Sequence, residues 1–117
     1  MVSTSNEGSM RVNGSTLAQY SGQSVVLMAM VERIDQGGMA MMVRASDGHQ
    51  VQVKLKEPLQ GNLEGLVEIH GTSQGRQILC NQLIDFDFDY SQNFDMEAYD
   101  QAIKLIHTVN PNPWLSE

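Results

Sequence analysis

Three alternating aspartates are the residues in this sequence that come closest to a metal-ligand set. Asp85, Asp87 and Asp89 match the beginning of a calcium-binding loop, D-x-D-x-D. The pattern then fails twice, because Tyr90 stands where the sixth position needs glycine and Met96 stands where the twelfth needs glutamate. We therefore interpret the aspartates as the solvated face of an extended segment. Such a face would repel DNA or attract a basic partner.

No other group of residues has the spacing of a metal or catalytic site. His49, His70 and His107 are far apart in the sequence, whereas zinc needs about four converging ligands. The single cysteine, Cys80, lies in an apolar run and is interpreted as a buried, unreactive thiol. The sequence has neither a nucleophile-elbow motif nor a phosphate-binding loop. We predict a protein that is not an enzyme and uses no cofactor or metal.

Binding of nucleic acid is the chemistry that remains, and its candidate residues are basic. The candidate phosphate contacts are Arg33, Arg44, Lys54, Lys56 and Arg76. The predicted strands at 39–44 and 50–55, which include Arg44 and Lys54, contain no aromatic residue, although each stacked base contributes about 1–3 kcal/mol. Fourteen acidic residues also outnumber seven basic ones, so the chain lacks the positive surface of an autonomous DNA-binding protein.

The elements that must position these residues are short strands. Residues 24–34 form a long apolar run, which is typical of a coiled strand that serves two sides of a small barrel. Glycine-containing turns, one of them Asp47-Gly48, separate this run from two further strands at 39–44 and 50–55. Apolar and polar residues alternate in the third strand, as in a half-buried sheet. The pattern predicts a three-stranded meander.

Two more strands follow an interruption. Pro58 ends the sheet pattern, and strand character resumes at 66–71 and at 77–84. Aromatic residues that alternate with the aspartates predict that residues 85–90 continue as an extended segment. Five strands with an interruption between the third and fourth follow the order of an OB-fold. The predicted fold is therefore all-β, a five-stranded OB-fold barrel with a C-terminal α-helix.

The C-terminal helix is predicted over residues 95–109. Asp95 is placed to cap it, and Asn110-Pro111 ends it. Its apolar residues cover an arc of about 180°, whereas contact with one surface needs only about 100°. This surplus predicts a subunit interface formed by Met96, Tyr99, Ala102, Ile103, Leu105, Ile106 and Val109. The residues left outside the arc are Asp100, Gln101, Lys104 and Thr108.

Three separated segments resemble one protein family. The helix carries the pattern Phe-Asp-x-x-x-Tyr-x-x-Ala-x-Lys-x-Ile-His from Phe94 to His107, and residues 12–20 and 57–69 agree as well. The sequence resembles the smallest subunit of replication protein A, the eukaryotic heterotrimer that binds single-stranded DNA. The resemblance covers almost the whole chain from Val12 to Trp114.

The resemblance implies a non-catalytic structural subunit. In that family the C-terminal helix joins one helix from each of the large and middle subunits in a three-helix bundle. It also implies a role in DNA replication, repair and recombination in the nucleus, with single-stranded DNA bound through the complex. The basic residues of the barrel would then touch phosphate groups only when the larger subunits present the DNA.

The predicted organisation has four parts. They are a flexible leader at 1–11, the OB-fold barrel at 12–92, the oligomerisation helix at 93–110 and a tail at 111–117. No apolar stretch approaches the roughly 20 residues that span a bilayer, and the N-terminus lacks the apolar core of a signal peptide. We expect an intracellular protein without membrane contact.

Two alternatives remain open. The chain could be an autonomous OB-fold module that binds single-stranded nucleic acid or another ligand directly, with the helix closing only its own barrel. It could instead be an enzyme or an enzyme's accessory domain, although no set of acid, base and nucleophile converges in the sequence. Without partners, the apolar helix could also pair with a second copy of itself.

Overall fold

The strands of the protein form one sheet that closes on itself. The computed structural model describes residues 9–59 and 63–109. The strands are β1 (Met10–Val12), β2 (Ser24–Ile34), β3 (Ala40–Ala45), β4 (Gln50–Lys54), β5 (Gly65–Ser73) and β6 (Gln77–Asp85). The helices are α1 (Gly14–Leu17), continued by a 3₁₀ turn (Ala18–Tyr20), then α2 (Phe88–Asn93) and α3 (Met96–Val109).

The strand order confirms the predicted fold. Neighbouring strands follow the order β1-β2-β3-β4-β6-β5, and β2 also pairs with β5, which closes β2 to β6 into a barrel. The strand β2 is long enough to pair with both β3 and β5, as its length predicts. These five strands form an OB-fold. The short strand β1, which was not predicted, pairs in parallel with the N-terminal part of β2.

Side chains from alternate strand positions fill the interior of the barrel. Val51 and Val53 of β4 are buried while Gln50, Gln52 and Lys54 are exposed, so the predicted period-two pattern is confirmed. Leu27 of β2 and Ile69 of β5 face each other in the same core and have no exposed surface. Gly71 lies beside an irregularity in the pairing of β5 with β6. A Cβ atom at position 71 would clash with the backbone of Leu79. Only glycine therefore allows the two strands to come this close at this point.

The prediction of an extended segment at 85–90 is wrong. Strand β6 ends at Asp85, and α2 begins at Phe88. Asp87 caps this helix, because its carboxylate accepts a hydrogen bond from the backbone N–H of Tyr90 at 2.8 Å. The aromatic rings consequently lie on different sides. Phe86 stacks on Tyr90 with ring centroids 4.7 Å apart, while Phe88 is exposed.

The predicted start of the C-terminal helix is confirmed. Asp95 accepts a hydrogen bond from the backbone N–H of Ala98 at 3.0 Å, as an N-cap residue does. The predicted end at Asn110-Pro111 and the tail lie outside the described residues. The proposed leader at 1–11 lies mostly outside them too, although its residues Met10 and Arg11 already belong to β1.

Candidate subunit interface and nucleic-acid face

One face of α3 packs on the barrel, and its contacts are largely polar. Asp100 and Ile103 are buried on this face, and His107 follows one turn later. Asp100 accepts hydrogen bonds from Asn13 Nδ2 at 2.9 Å and from Ser46 Oγ at 2.7 Å. Asp100 lies outside the apolar arc of the helix, as the sequence indicates, but it is buried. A buried carboxylate is tolerated here because donors from the barrel surround it.

These donors also set the charge state of Asp100. Burial alone would raise the pKa of its carboxyl group, but hydrogen bonds from Asn13 and Ser46 and the ammonium group of Lys104 lower the pKa below its ordinary value. The ammonium group lies 3.2 Å from the carboxylate, one turn along the helix. Asn13 in turn caps α1 by accepting a hydrogen bond from the backbone N–H of Thr16. The helix is therefore tied to the start of the barrel through a charged residue.

Two further contacts fix the ends of the docked face. Near the start, the guanidinium group of Arg11 donates hydrogen bonds to the hydroxyl of Tyr99 and to the carboxylate of Glu68, both at 2.9 Å. Near the end, Nε2 of His107 lies 2.9 Å from the carbonyl oxygen of Arg11. Because a carbonyl only accepts, Nε2 carries a proton, and Nδ1 lies 3.2 Å from the hydroxyl of Tyr20. The pKa of Tyr99 is raised above its ordinary value by burial, and the hydrogen bond from Arg11 opposes this shift only in part.

A second face of α3 is apolar and exposed. Leu105 is 61% exposed and Ile106 is 39% exposed, and Ala98 and Ala102 are exposed on the same side of the helix. Their spacing of four, seven and eight residues from Ala98 places them in one stripe. We call Ala98, Ala102, Leu105 and Ile106 the outer apolar row. A stripe of this kind is how a helix packs against another helix.

The structure divides the seven residues predicted as a subunit interface. Ala102, Leu105 and Ile106 lie in the outer apolar row, while Ile103 is buried and Tyr99 binds Arg11. Met96 is half-buried, and the side chain of Val109 lies outside the described part of the chain. Their role in an interface stays a prediction. The helical wheel merged two faces because Asp100 and His107, which contact the barrel, have the polarity of solvated residues.

The outer surface of β3 and β4 is the side on which OB-folds bind nucleic acid. Arg33, Met42 and Gln52 lie in register across β2, β3 and β4. Arg44 is held by Glu32, with Nε and the carboxylate 2.6 Å apart, and the same carboxylate accepts a hydrogen bond from Gln50. These hydrogen bonds lower the pKa of Glu32, so it stays charged and neutralises Arg44.

The other four candidate phosphate contacts are exposed, but they do not form one cluster. Lys54 lies opposite Ala40, close to the row that contains Arg33. Lys56 follows β4 and lies beside Asn81 and Gln82. Arg76 lies in the turn between β5 and β6. None of the four forms an ion pair with another residue in the described ranges.

Other kinds of site find no support in residues 9–59 and 63–109. No three histidine, cysteine or acidic side chains in these ranges converge as a metal-binding group does. No helix there has both the length and the apolar character needed to cross a membrane. Cys80 is buried, and burial raises the pKa of its thiol. The candidate site that stands out is therefore the open face of α3.

The fold and this helix define a class of protein, a single OB-fold barrel with a C-terminal helix that packs one face on the barrel and leaves an apolar face open. The structure is similar to a chain in the structure of U. maydis replication protein A bound to ssDNA. The TM-score is 0.72 at 21% sequence identity, over 92% of this chain and 95% of that chain. The model of the replication factor A protein 3 family matches residues 3–112. The chain belongs to that family.

Proposed function

We propose that the chain is a non-catalytic structural subunit of a heterotrimeric single-stranded-DNA-binding complex, replication protein A. In this proposal α3 joins one helix from each of the large and middle subunits in a three-helix bundle. The complex would act in DNA replication, repair and recombination in the nucleus. Membership of the family supports this role, and the observation that carries it is the outer apolar row.

The arrangement of α3 suits assembly. Full burial of a leucine or isoleucine side chain contributes about 1.5–3 kcal/mol, and the row holds one of each with two alanines that let a partner helix approach closely. The contacts of Asp100, Tyr99 and His107 already hold the helix on the barrel. Less conformational freedom is then lost when partners bind, which strengthens association.

The test is to co-express the three subunits with Ile106→Asp in this chain. A carboxylate in the row would have to be buried without a partner, so we expect the variant to lose the two larger subunits during purification. The barrel should stay folded, because Ile106 lies on the open face. Circular dichroism of the isolated variant checks this.

The matched control is Gln101→Asp, which adds the same charge at an exposed position outside the row. We expect it to co-purify like the wild type. Normal recovery of both larger subunits with Ile106→Asp would refute the proposed interface. Tight binding of a single-stranded oligonucleotide by the isolated chain would instead favour the autonomous module.

A further inference from the structure

A groove lies between α2 and the barrel, separate from the outer apolar row of α3. Phe88, Ser91 and Gln92 line its α2 side, and Met30, Glu64 and Gly65 line its barrel side. Its volume is about 380 Å³. Phe88 at its rim is 71% exposed, which is more than any other large hydrophobic side chain in the described residues. We call these six residues the α2 groove.

Specific contacts fix the position of α2, which forms one side of the α2 groove. The hydroxyl of Ser91 accepts a hydrogen bond from the backbone N–H of Leu66 at 3.0 Å, which fixes α2 beside β5. Gly65 has φ near +87°, and any Cβ there would lie 2.9 Å from Ser91 Oγ. A glycine is therefore required where the helix meets the strand.

The neighbouring aromatic residues are already used in packing, whereas Phe88 is not. Phe86, Tyr90, Phe94 and Tyr99 form a continuous row of ring contacts that links β6 to α3, with centroids 4.7 to 5.8 Å apart. Phe88 makes no ring contact with a described residue and faces the groove. An exposed phenylalanine beside an apolar groove is a feature of interaction sites.

The charge around the groove selects its partner. Glu64 is in its wall, Asp87 and Asp89 lie on either side of Phe88 in the sequence, and Asp85 precedes them. None of these four carboxylates forms an ion pair within the described ranges. The closest cation in register is Arg44, opposite Met30, and Glu32 already neutralises it. The acidic surface disfavours nucleic acid and a second copy of this chain, whose net charge is −7.

We propose that the α2 groove docks a basic segment of a partner protein that carries a large apolar side chain. The apolar side chain packs against Phe88 and Met30, and lysine or arginine residues on either side of it face Glu64, Asp87 and Asp89. An apolar anchor with flanking charges is a common way to recognise a peptide. The surface lies on α2, β2 and the start of β5, so it does not depend on the proposed helix bundle.

The test uses a short fluorescein-labelled peptide in which lysine and arginine alternate with leucine and phenylalanine. We expect its fluorescence anisotropy to rise with the full chain, and Phe88→Ala to weaken binding about tenfold or more, since an anchor side chain dominates such sites. The charge reversals Glu64→Lys and Asp89→Lys should also weaken binding. In NMR spectra the peptide should shift the amide signals of Gly65 and Gln92.

Matched controls separate the groove from general acidity. Glu57→Lys reverses an exposed acid outside the groove, and Leu105→Ala removes an exposed apolar side chain from α3; both should bind the peptide like the wild type. A peptide with glutamate in place of the basic residues should not bind. Equal binding by Phe88→Ala, or shifts of the Gly65 and Gln92 signals by a single-stranded oligonucleotide and not by the peptide, would overturn the proposal.

Discussion

At the scale of single residues, Asp100 decides how α3 sits on the barrel. It is a buried carboxylate that two barrel residues, Asn13 and Ser46, bind from the other side. Its charge is maintained by these hydrogen bonds and by Lys104. A polar contact of this kind specifies one orientation of the helix, because any rotation would leave a buried charge without partners. The hydrogen bonds of Asp100 therefore hold α3 in the orientation that leaves the outer apolar row exposed.

Asp100→Ala should destabilise the protein by about 1–3 kcal/mol at neutral pH, because Asn13 and Ser46 lose a buried acceptor. The pKa of Asp100 is lowered by folding, so its contribution to stability is present above about pH 4 and is lost as the pH falls through the folded-state pKa. Urea unfolding of the wild type and the variant at neutral and acidic pH measures both effects. We expect the difference between them to shrink in acid.

The exposed Asp85 provides the matched control, since Asp85→Ala removes the same charge without breaking a buried contact. It should unfold like the wild type at neutral pH. If Asp100→Ala and the wild type lost stability equally between about pH 5 and pH 3, Asp100 would not anchor the helix through its charge.

At the scale of elements, the strands were predictable and the contacts of the short segments were not. β2 is a long apolar run, β4 alternates apolar and polar residues, and glycine-containing turns separate β2, β3 and β4, so their signals are local. Strand β1 has only three residues, which is too short for a periodic pattern. It forms because it pairs with residues of β2 more than ten positions away. At residues 85–90 the alternation of aromatic residues with aspartates predicted an extended segment. Asp87 instead caps a helix that begins at Phe88. The barrel-facing side of α3 was missed because Asp100 is polar and because its partners Asn13 and Ser46 are distant from it in the sequence.

The outer surface of β3 and β4 yields a prediction about DNA. If Lys54 touches a phosphate in the assembled complex, Lys54→Ala should lower the slope of log affinity against log salt by about 0.7, the value for one contact with a single strand. Filter binding to an oligonucleotide at several salt concentrations measures this slope. Arg44→Ala is the control, because Glu32 already neutralises Arg44, and its slope should match the wild type. An unchanged slope in Lys54→Ala would show that Lys54 makes no phosphate contact.

At the scale of the whole molecule, the chain combines a closed barrel with two exposed apolar surfaces. The barrel and the docked face of α3 account for the buried residues, whereas the outer apolar row and the α2 groove remain open. Acidic residues are concentrated after residue 84, where seven acids stand against Lys104 alone. This distribution suits a subunit that binds other proteins through its helices and contributes little charge for DNA binding.

We predict that assembly with the larger subunits buries the outer apolar row. Labelling of Ala102→Cys with a maleimide measures this directly, because the residue is exposed in the isolated chain and the native Cys80 is buried. Glu97→Cys, at an exposed position outside the row, is the control. We predict that Ala102→Cys reacts readily in the isolated chain and is protected in the heterotrimer, while Glu97→Cys reacts in both. Equal labelling of Ala102→Cys with and without the larger subunits would show that the outer apolar row is not buried in the heterotrimer.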